Sequence, residues 1–433
     1  MSKLSVGAIA LAAFAFAFVA ASPQARAQNP LQRATPESVG MSGPRLARIG
    51  AAMRQEVEQN RIPGAVIAVA RRGRLVYFEA VGFQDRERGT PMRTDSIFAI
   101  ASMTKPWVGA ATMMLAEEGR LTLGDPVERF LPALTNRRVA VLTDAQRAGQ
   151  GEAAFETVPA RRPITIMDLL RHTSGLTYGN RGMTALHRAY PQSSNSSSMQ
   201  FDANGFIERL GALPLHYQPG TAYEYSLGID VAGIVVERVS GQPLGAFLDQ
   251  RLFRPLGMRD SVFVVGPDRV ARLARGLAND PDTGRPTAIP DRTQPSRFEC
   301  GGGCGASTAG DYIRFAQMLL DNGALGRTRV LAPRSVRAMV SDQLLPGTRT
   351  DDLVGSNNEG FGYGLTMAVR RSAGGPPLQG NPGDFTWGGA FGTNFWVDPT
   401  EQLAVVFMAQ APGLRLRQNS RTVNALVYGA IMQ

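Results

Sequence analysis

The sequence predicts a two-domain α/β (α+β) fold. Both chain ends build one α/β domain, and a mainly helical domain is inserted between them. Three observations carry this. β-Rich runs occur at residues 64–82 and return beyond residue 360. The stretch between about 125 and 295 reads as helical patches joined by long loops. No internal repeat divides the 433 residues into equal units. The predicted boundaries are 28–124 with 296–433 for the α/β domain and 125–295 for the helical one.

The chain opens "MSKLSVGAIALAAFAFAFVAASPQARAQ", with a cationic start, an apolar run from Leu4 to Ala21 and then Ala25-Arg26-Ala27. That pattern reads as a secretory signal with an A-x-A cleavage site, cut after Ala27; an uncleaved membrane anchor is the rival reading, since the apolar run is near the lower limit for a span. The signal implies an exported protein, periplasmic or secreted. No later apolar run is long enough to span a bilayer.

Residues 42–61, "SGPRLARIGAAMRQEVEQNR", space apolar positions as an amphipathic helix does. Two β-rich runs then flank Gly73, a hairpin signal. Next comes a helix through "KPWVGAATMMLAEEG", begun near Ser102 and closed by Gly119. Pro106 supports that start, because proline is tolerated only in a first helical turn. The insert contains "AGQGEAAFETVPARR" and the serine-rich "PQSSNSSSMQ", both read as loops and the second as mobile. "STAGDYIRFAQMLLDNG" reads as a helix ended by Gly323. "GFGYGLTMAV", "GTNFWVDP" and "QLAVVFMAQ" read as strands, and a last helix starts at about Arg421.

The formal net charge of +10 falls to +8 once residues 1–27 are removed. Its arginines are scattered, with no basic stripe interleaved with aromatics, so no nucleic-acid partner is expected. His172, His187 and His216 lie far apart in sequence and form no metal-binding motif, so no metal and no cofactor are expected. The only cysteines, Cys300 and Cys304, enclose three glycines in "FECGGGCG". In an oxidising compartment that segment can close a small disulfide; free thiols are the alternative.

The chain holds 46 Lys+Arg, yet only Lys3 and Lys105 are lysines. Lys105 lies three residues after Ser102, so the two side chains share one helix face at its N-terminus. A serine hydroxyl needs a base to become a nucleophile. Arginine stays charged and cannot serve. A lysine can, where burial and the positive helix end favour its neutral form. By chance a lysine has serine at that offset roughly one time in fifteen, so other residues must decide.

They do so through "FAIASMTKPWVGAATMMLAEEGRLTLGDPVERFLP", "PITIMDLLRHTSGL", "QPGTAYEYSLGIDVAGIVVERVSG", "RPLGMRDSVF", "STAGDYIRFAQMLL" and "WGGAFGTNFWVDP". With these segments the chain resembles the serine β-lactamase and penicillin-binding protein superfamily. It is most similar to the class C β-lactamase-like carboxylesterases called family VIII. The resemblance implies a serine β-lactamase-like fold with an antiparallel sheet flanked by helices. It places the second motif on Tyr225-Ser226-Leu227, with Tyr223 the competing tyrosine. The third motif falls on Trp387-Gly388-Gly389, and the backbone N–H groups of Ser102 and Ala390 become the oxyanion hole. The glycine pair would let strand backbone approach a substrate.

Two departures bear on substrate. Trp387 stands where β-lactamases carry the lysine that helps hold a substrate carboxylate, and Leu227 where an asparagine contacts the acyl amide. Both exchange polar recognition for apolar wall, which favours short-acyl esters over amides. His172 reads as the last turn of a helix ending at Gly175, where a cation suits the dipole. Ser174 reads as a cap, and Glu224 as a solvated or salt-bridged side chain without a role.

Rival readings remain. An α/β-hydrolase needs G-x-S-x-G followed by Asp and His; neither that motif nor a histidine after His216 is present. A β-lactamase, D,D-peptidase, amide hydrolase or acyltransferase would keep the same fold. An acylated sensor that does not turn over is the non-enzyme alternative.

Overall fold

The computed structural model describes residues 31–152, 154–350, 353, 360–374 and 378–433. The expected signal, 1–27, lies outside them. Strands Gly64–Arg71 and Arg74–Asp85 form the hairpin around Gly73. Strand Gly64–Arg71 pairs on its other edge with Leu403–Ala409, Val66 opposite Met408 and Ala68 opposite Val406. The sheet continues through Thr393–Asp398, Phe385–Gly389, Ala368–Arg370 and Phe361–Tyr363, all antiparallel, while Thr90–Pro91 closes the opposite edge.

The two central strands are buried along their whole length. Side chains alternate between faces in a strand, and both faces are covered. Ala65, Ile67 and Val69 share one core with Leu46, Ile49 and Met53 of helix Gly43–Glu58 and Val423 and Val427 of helix Leu414–Tyr428. Val66, Ala68 and Ala70 face the larger core, with Trp107, Tyr312 and Phe315. That second face carries helices Lys105–Glu117 and Ala309–Leu320, so the sheet and the first helix carrying the site residues share one core. The antiparallel sheet flanked by helices agrees with the expected fold class.

Several elements differ from the sequence reading. The last helix begins at Leu414, seven residues before Arg421. The 148–162 loop contains strand Glu156–Pro159, paired with Arg138–Val141. The serine-rich segment is helix Ser194–Gln200, not a mobile loop. Serine is a poor helix former, but Ser193 and Ser196 build a capping box, and Ser194 is buried against Asp230. The helix expected to reach Gly175 covers only Ile166–Leu170. Beyond it, Asp168 draws Arg171 and Thr173 onto its carboxylate, and His172 turns to φ 58°.

Candidate active site

Strand Phe98–Ala99 leads into a 3₁₀ turn, Ala101–Thr104, and only then into the α-helix Lys105–Glu117. The single helix expected from Ser102 is therefore preceded by a tighter turn. Ala101 holds φ 44°, a left-handed conformation that costs a non-glycine residue on the order of 1–3 kcal/mol. This sharp bend presents Ser102, the only partly exposed residue between Phe98 and Leu115.

Lys105 is fully buried. Its Nζ donates to Ser102 Oγ at 3.2 Å, to Gly302 O at 2.5 Å and to Tyr178 OH at 3.4 Å. All three partners are oxygens, and a lone pair on this nitrogen turned to Ser102 would be placed to take the hydroxyl proton. Tyr225 OH donates to Ser102 Oγ at 2.8 Å, and the Lys105 Nζ lies 4.6 Å from the Tyr225 ring centroid. Tyr225, and not Tyr223, meets Ser102. The Tyr223 ring packs on His172 and Tyr363 instead.

His172 positions that tyrosine. Its Nδ1 accepts the Ser226 N–H at 3.2 Å, and its carbonyl accepts the Glu224 N–H at 2.8 Å. The expected cationic helix terminus is wrong on both counts. The helix stops before His172, and burial, followed by Lys105 and Arg181, pushes the imidazole well below its ordinary pKa. His172 is neutral, with Nε2 carrying the proton. Ser174 caps no helix; its Oγ accepts the Leu176 N–H.

A second layer escaped the sequence reading. Tyr178 OH meets Ser194 Oγ at 2.9 Å, and Ser194 donates to Asp230 Oδ2 at 2.7 Å. Asp230 Oδ1 accepts the Gly302 N–H at 2.8 Å. Burial raises the Asp230 carboxyl pKa, and Lys105 pulls it back. Cys300 and Cys304 are bridged around this loop. A Cβ on Gly302 would lie 2.4 Å from both Asp230 Oδ2 and Ser194 Oγ, so only glycine lets the loop reach Lys105. The clue in sequence was the glycine run, read there only as letting the segment close a small disulfide.

The third motif lies in strand Phe385–Gly389. Trp387 is buried, its ring 5.6 Å from Tyr225 and 5.2 Å from Tyr363. Gly389 is required by packing. A Cβ there would lie 2.0 Å from Ile100 O, so the glycine brings the strand end against the turn that presents Ser102. Gly388 is half-buried, and Ala390 is exposed just past the strand. Leu227 is fully buried in the larger core.

His187, His216 and Glu224, far apart in sequence, place their ligand-type atoms within 4.8 Å of one another. Of the two readings of Glu224, solvated or salt-bridged, the structure shows the second. It is buried, accepts from Thr177 Oγ1 at 2.5 Å and faces His187 Nε2 at 3.4 Å. Burial pushes its carboxyl up, but His187, His216 and Thr177 outweigh this and bring it down to about 2.

The fold and the Ser102–Lys105–Tyr225 cluster define a serine hydrolase of the β-lactamase type. The Beta-lactamase family profile matches residues 49–428, and the chain belongs to that family. Protein Rv1367c of Mycobacterium tuberculosis is 39% identical over 367 residues, covering 83% of this chain and 88% of the relative. Esterase EstB of Burkholderia gladioli is 34% identical over 383 residues, with 84% and 89% covered. Among solved structures, EstCE1, described as a hydrolase with promiscuous acyltransferase activity, superposes with a TM-score of 0.72 at 27% identity. That match covers 91% of this chain and 99% of EstCE1.

Proposed function

We propose that this chain is an exported carboxylesterase that cleaves short-acyl esters through an acyl-enzyme on Ser102. The observation that carries the reading is the convergence of Lys105 Nζ and Tyr225 OH on one hydroxyl, at 3.2 and 2.8 Å. A neutral Lys105 takes the Ser102 proton, and Oγ bonds to the ester carbonyl carbon. The N–H groups of Ser102 and Ala390 hold the oxyanion; one such donor contributes on the order of 3 kcal/mol. Tyr225 protonates the leaving alkoxide and recovers its proton from the Lys105 ammonium. Water then attacks the acyl carbon, gives its proton to the same pair, and Ser102 leaves as the regenerated hydroxyl.

Trp387 favours this ester reading, because it offers no charge to a wall-peptide or β-lactam carboxylate. The similarity to EstB supports the same reading. EstCE1 favours a second reading, in which an alcohol replaces water at the deacylation step. The A-x-A site before Gln28 and the bridged Cys300–Cys304 pair support export.

The test follows p-nitrophenyl acetate, butyrate and octanoate alongside a chromogenic cephalosporin. Acetate and butyrate should turn over fastest, and a faster cephalosporin would replace the proposal with a β-lactamase. Adding a primary alcohol reports transfer as a new ester. A serine-reactive phosphonate should add one mass increment at Ser102, and folded protein left unlabelled there would reject the mechanism.

A further inference from the structure

The His187–His216–Glu224 cluster has no part in the ester chemistry above. We infer that His187 Nε2, His216 Nδ1 and Glu224 Oε1 form a binding site for a zinc-class divalent cation, with its fourth position open to the adjoining cavity.

Spacing is the first argument. Zinc holds nitrogen and oxygen ligands at about 2.0–2.1 Å, so two ligands of a tetrahedral ion lie about 3.4 Å apart. His187 Nε2 and Glu224 Oε1 are 3.4 Å apart, and His216 Nδ1 is 3.8 Å from the same oxygen. A charge-assisted hydrogen bond would draw such groups to about 2.7–2.9 Å. The two histidine–carboxylate pairs therefore stand near the separation of ligands around an ion, while the cluster as a whole, spread within 4.8 Å, must contract for both histidine nitrogens to ligate together.

Orientation is the second. His187 Nδ1 is engaged by Thr184 Oγ1 at 2.6 Å, which leaves Nε2 as the atom turned to Glu224. Fixing one imidazole nitrogen so that the other can ligate is the usual support of a metal-bound histidine. Thr177 Oγ1 similarly pins the Glu224 carboxylate. His216 supplies the independent sign of a ligand. Its side chain is 8% exposed, and Nδ1 has no hydrogen-bond partner among the described residues. A buried nitrogen left so is costly unless something else fills the place.

The cavity beside the cluster, about 240 Å³, is lined by the three residues together with Arg181, Tyr217 and Arg349. Two guanidiniums disfavour a bare cation. They suit one that carries an anionic fourth ligand, such as hydroxide, chloride or a small carboxylate. Two histidines and a carboxylate are a zinc donor set, whereas calcium and magnesium prefer oxygen alone. The ion would tie helix Ala185–Ala189 and the 216 segment to Glu224, the residue before Tyr225, and so brace that tyrosine.

The test uses the untagged chain without its first 27 residues, stripped with chelator and dialysed against zinc. One equivalent should bind and the melting temperature should rise. His216→Ala and Glu224→Gln should each weaken binding at least about tenfold. Cobalt(II) gives a readout that needs no variant: the wild type should show the intense visible bands of four-coordinate cobalt, removed by zinc. Measuring Ser102→Ala as well separates this outcome from that of the esterase reading. A wild type that retains no more zinc than His187→Ala/His216→Ala, or cobalt bands of weak octahedral type, would overturn the inference.

Discussion

Lys105 concentrates the chemistry at the scale of single residues. Its Nζ contacts one reacting hydroxyl and two fixed oxygens, Gly302 O and Tyr178 OH, so its position is set from two sides. Lys105→Arg keeps the cation and removes the transferable proton. It should lower kcat on p-nitrophenyl butyrate by about 10²–10⁴-fold, the range of a general base; circular dichroism would check that the buried guanidinium is accommodated. Tyr225→Phe keeps the ring that packs on Trp387 and His172 but removes the 2.8 Å bond to Ser102. It should lower kcat by at least about 10²-fold with little change in melting temperature. The loss should be smaller for p-nitrophenyl esters than for ethyl esters, because p-nitrophenolate leaves without needing a proton. Equal losses on both would remove Tyr225 from the role of proton donor.

Among the elements, the 300–304 loop has the most direct hold on the site. Gly302 accepts from Lys105 and donates to Asp230, while the disulfide pins both loop ends. Closing so short a loop contributes about 2 kcal/mol in the chain-entropy account. Cys300→Ser/Cys304→Ser, or reduction with dithiothreitol, should therefore lower the melting temperature. It should also reduce kcat more than it raises KM, because it loosens the partner of the base and not the substrate pocket. Calorimetry and steady-state kinetics on the same samples would read the two effects. An unchanged kcat in the reduced protein would mean that the glycines and Asp230 hold the loop unaided.

In the molecule as a whole, a buried carboxyl beneath the sheet makes stability depend on pH. Asp311 sits in the first turn of helix Ala309–Leu320 and accepts from Asp260 N and Ser261 Oγ. Burial pushes its pKa up to about 6, against its hydrogen bonds. The folded state thus binds a proton more tightly than the unfolded chain. Stability from this group is complete at low pH and is lost as pH rises from about 4 through 6. Asp311→Asn should raise unfolding free energy at pH 7.5 by about 1–3 kcal/mol and flatten the acid-side slope. Urea titrations at pH 4.5 and 7.5 would measure both. A variant less stable at both pH values would show that the two accepted bonds need a carboxylate.

What the sequence determined by itself was whatever local spacing governs. The Ser102–Lys105 offset, the proline after the lysine and the hairpin around Gly73 are neighbour effects, and each was legible as written. The continuous apolar, β-rich runs of 64–71 and 403–409 likewise marked strands. Their pairing across more than 300 residues of chain was inferred only as both ends sharing one domain. Only tertiary structure decided what depends on distant partners. Ser194 is helical because Asp230 and Tyr178 receive it, and His172 is neutral because it is buried beside Lys105 and Arg181. Glu224, read as a solvated or salt-bridged side chain and given no role, became the centre of a cluster once residues 187 and 216 folded against it. Burial and hydrogen-bond geometry are properties of the packed chain, and no window of sequence contains them.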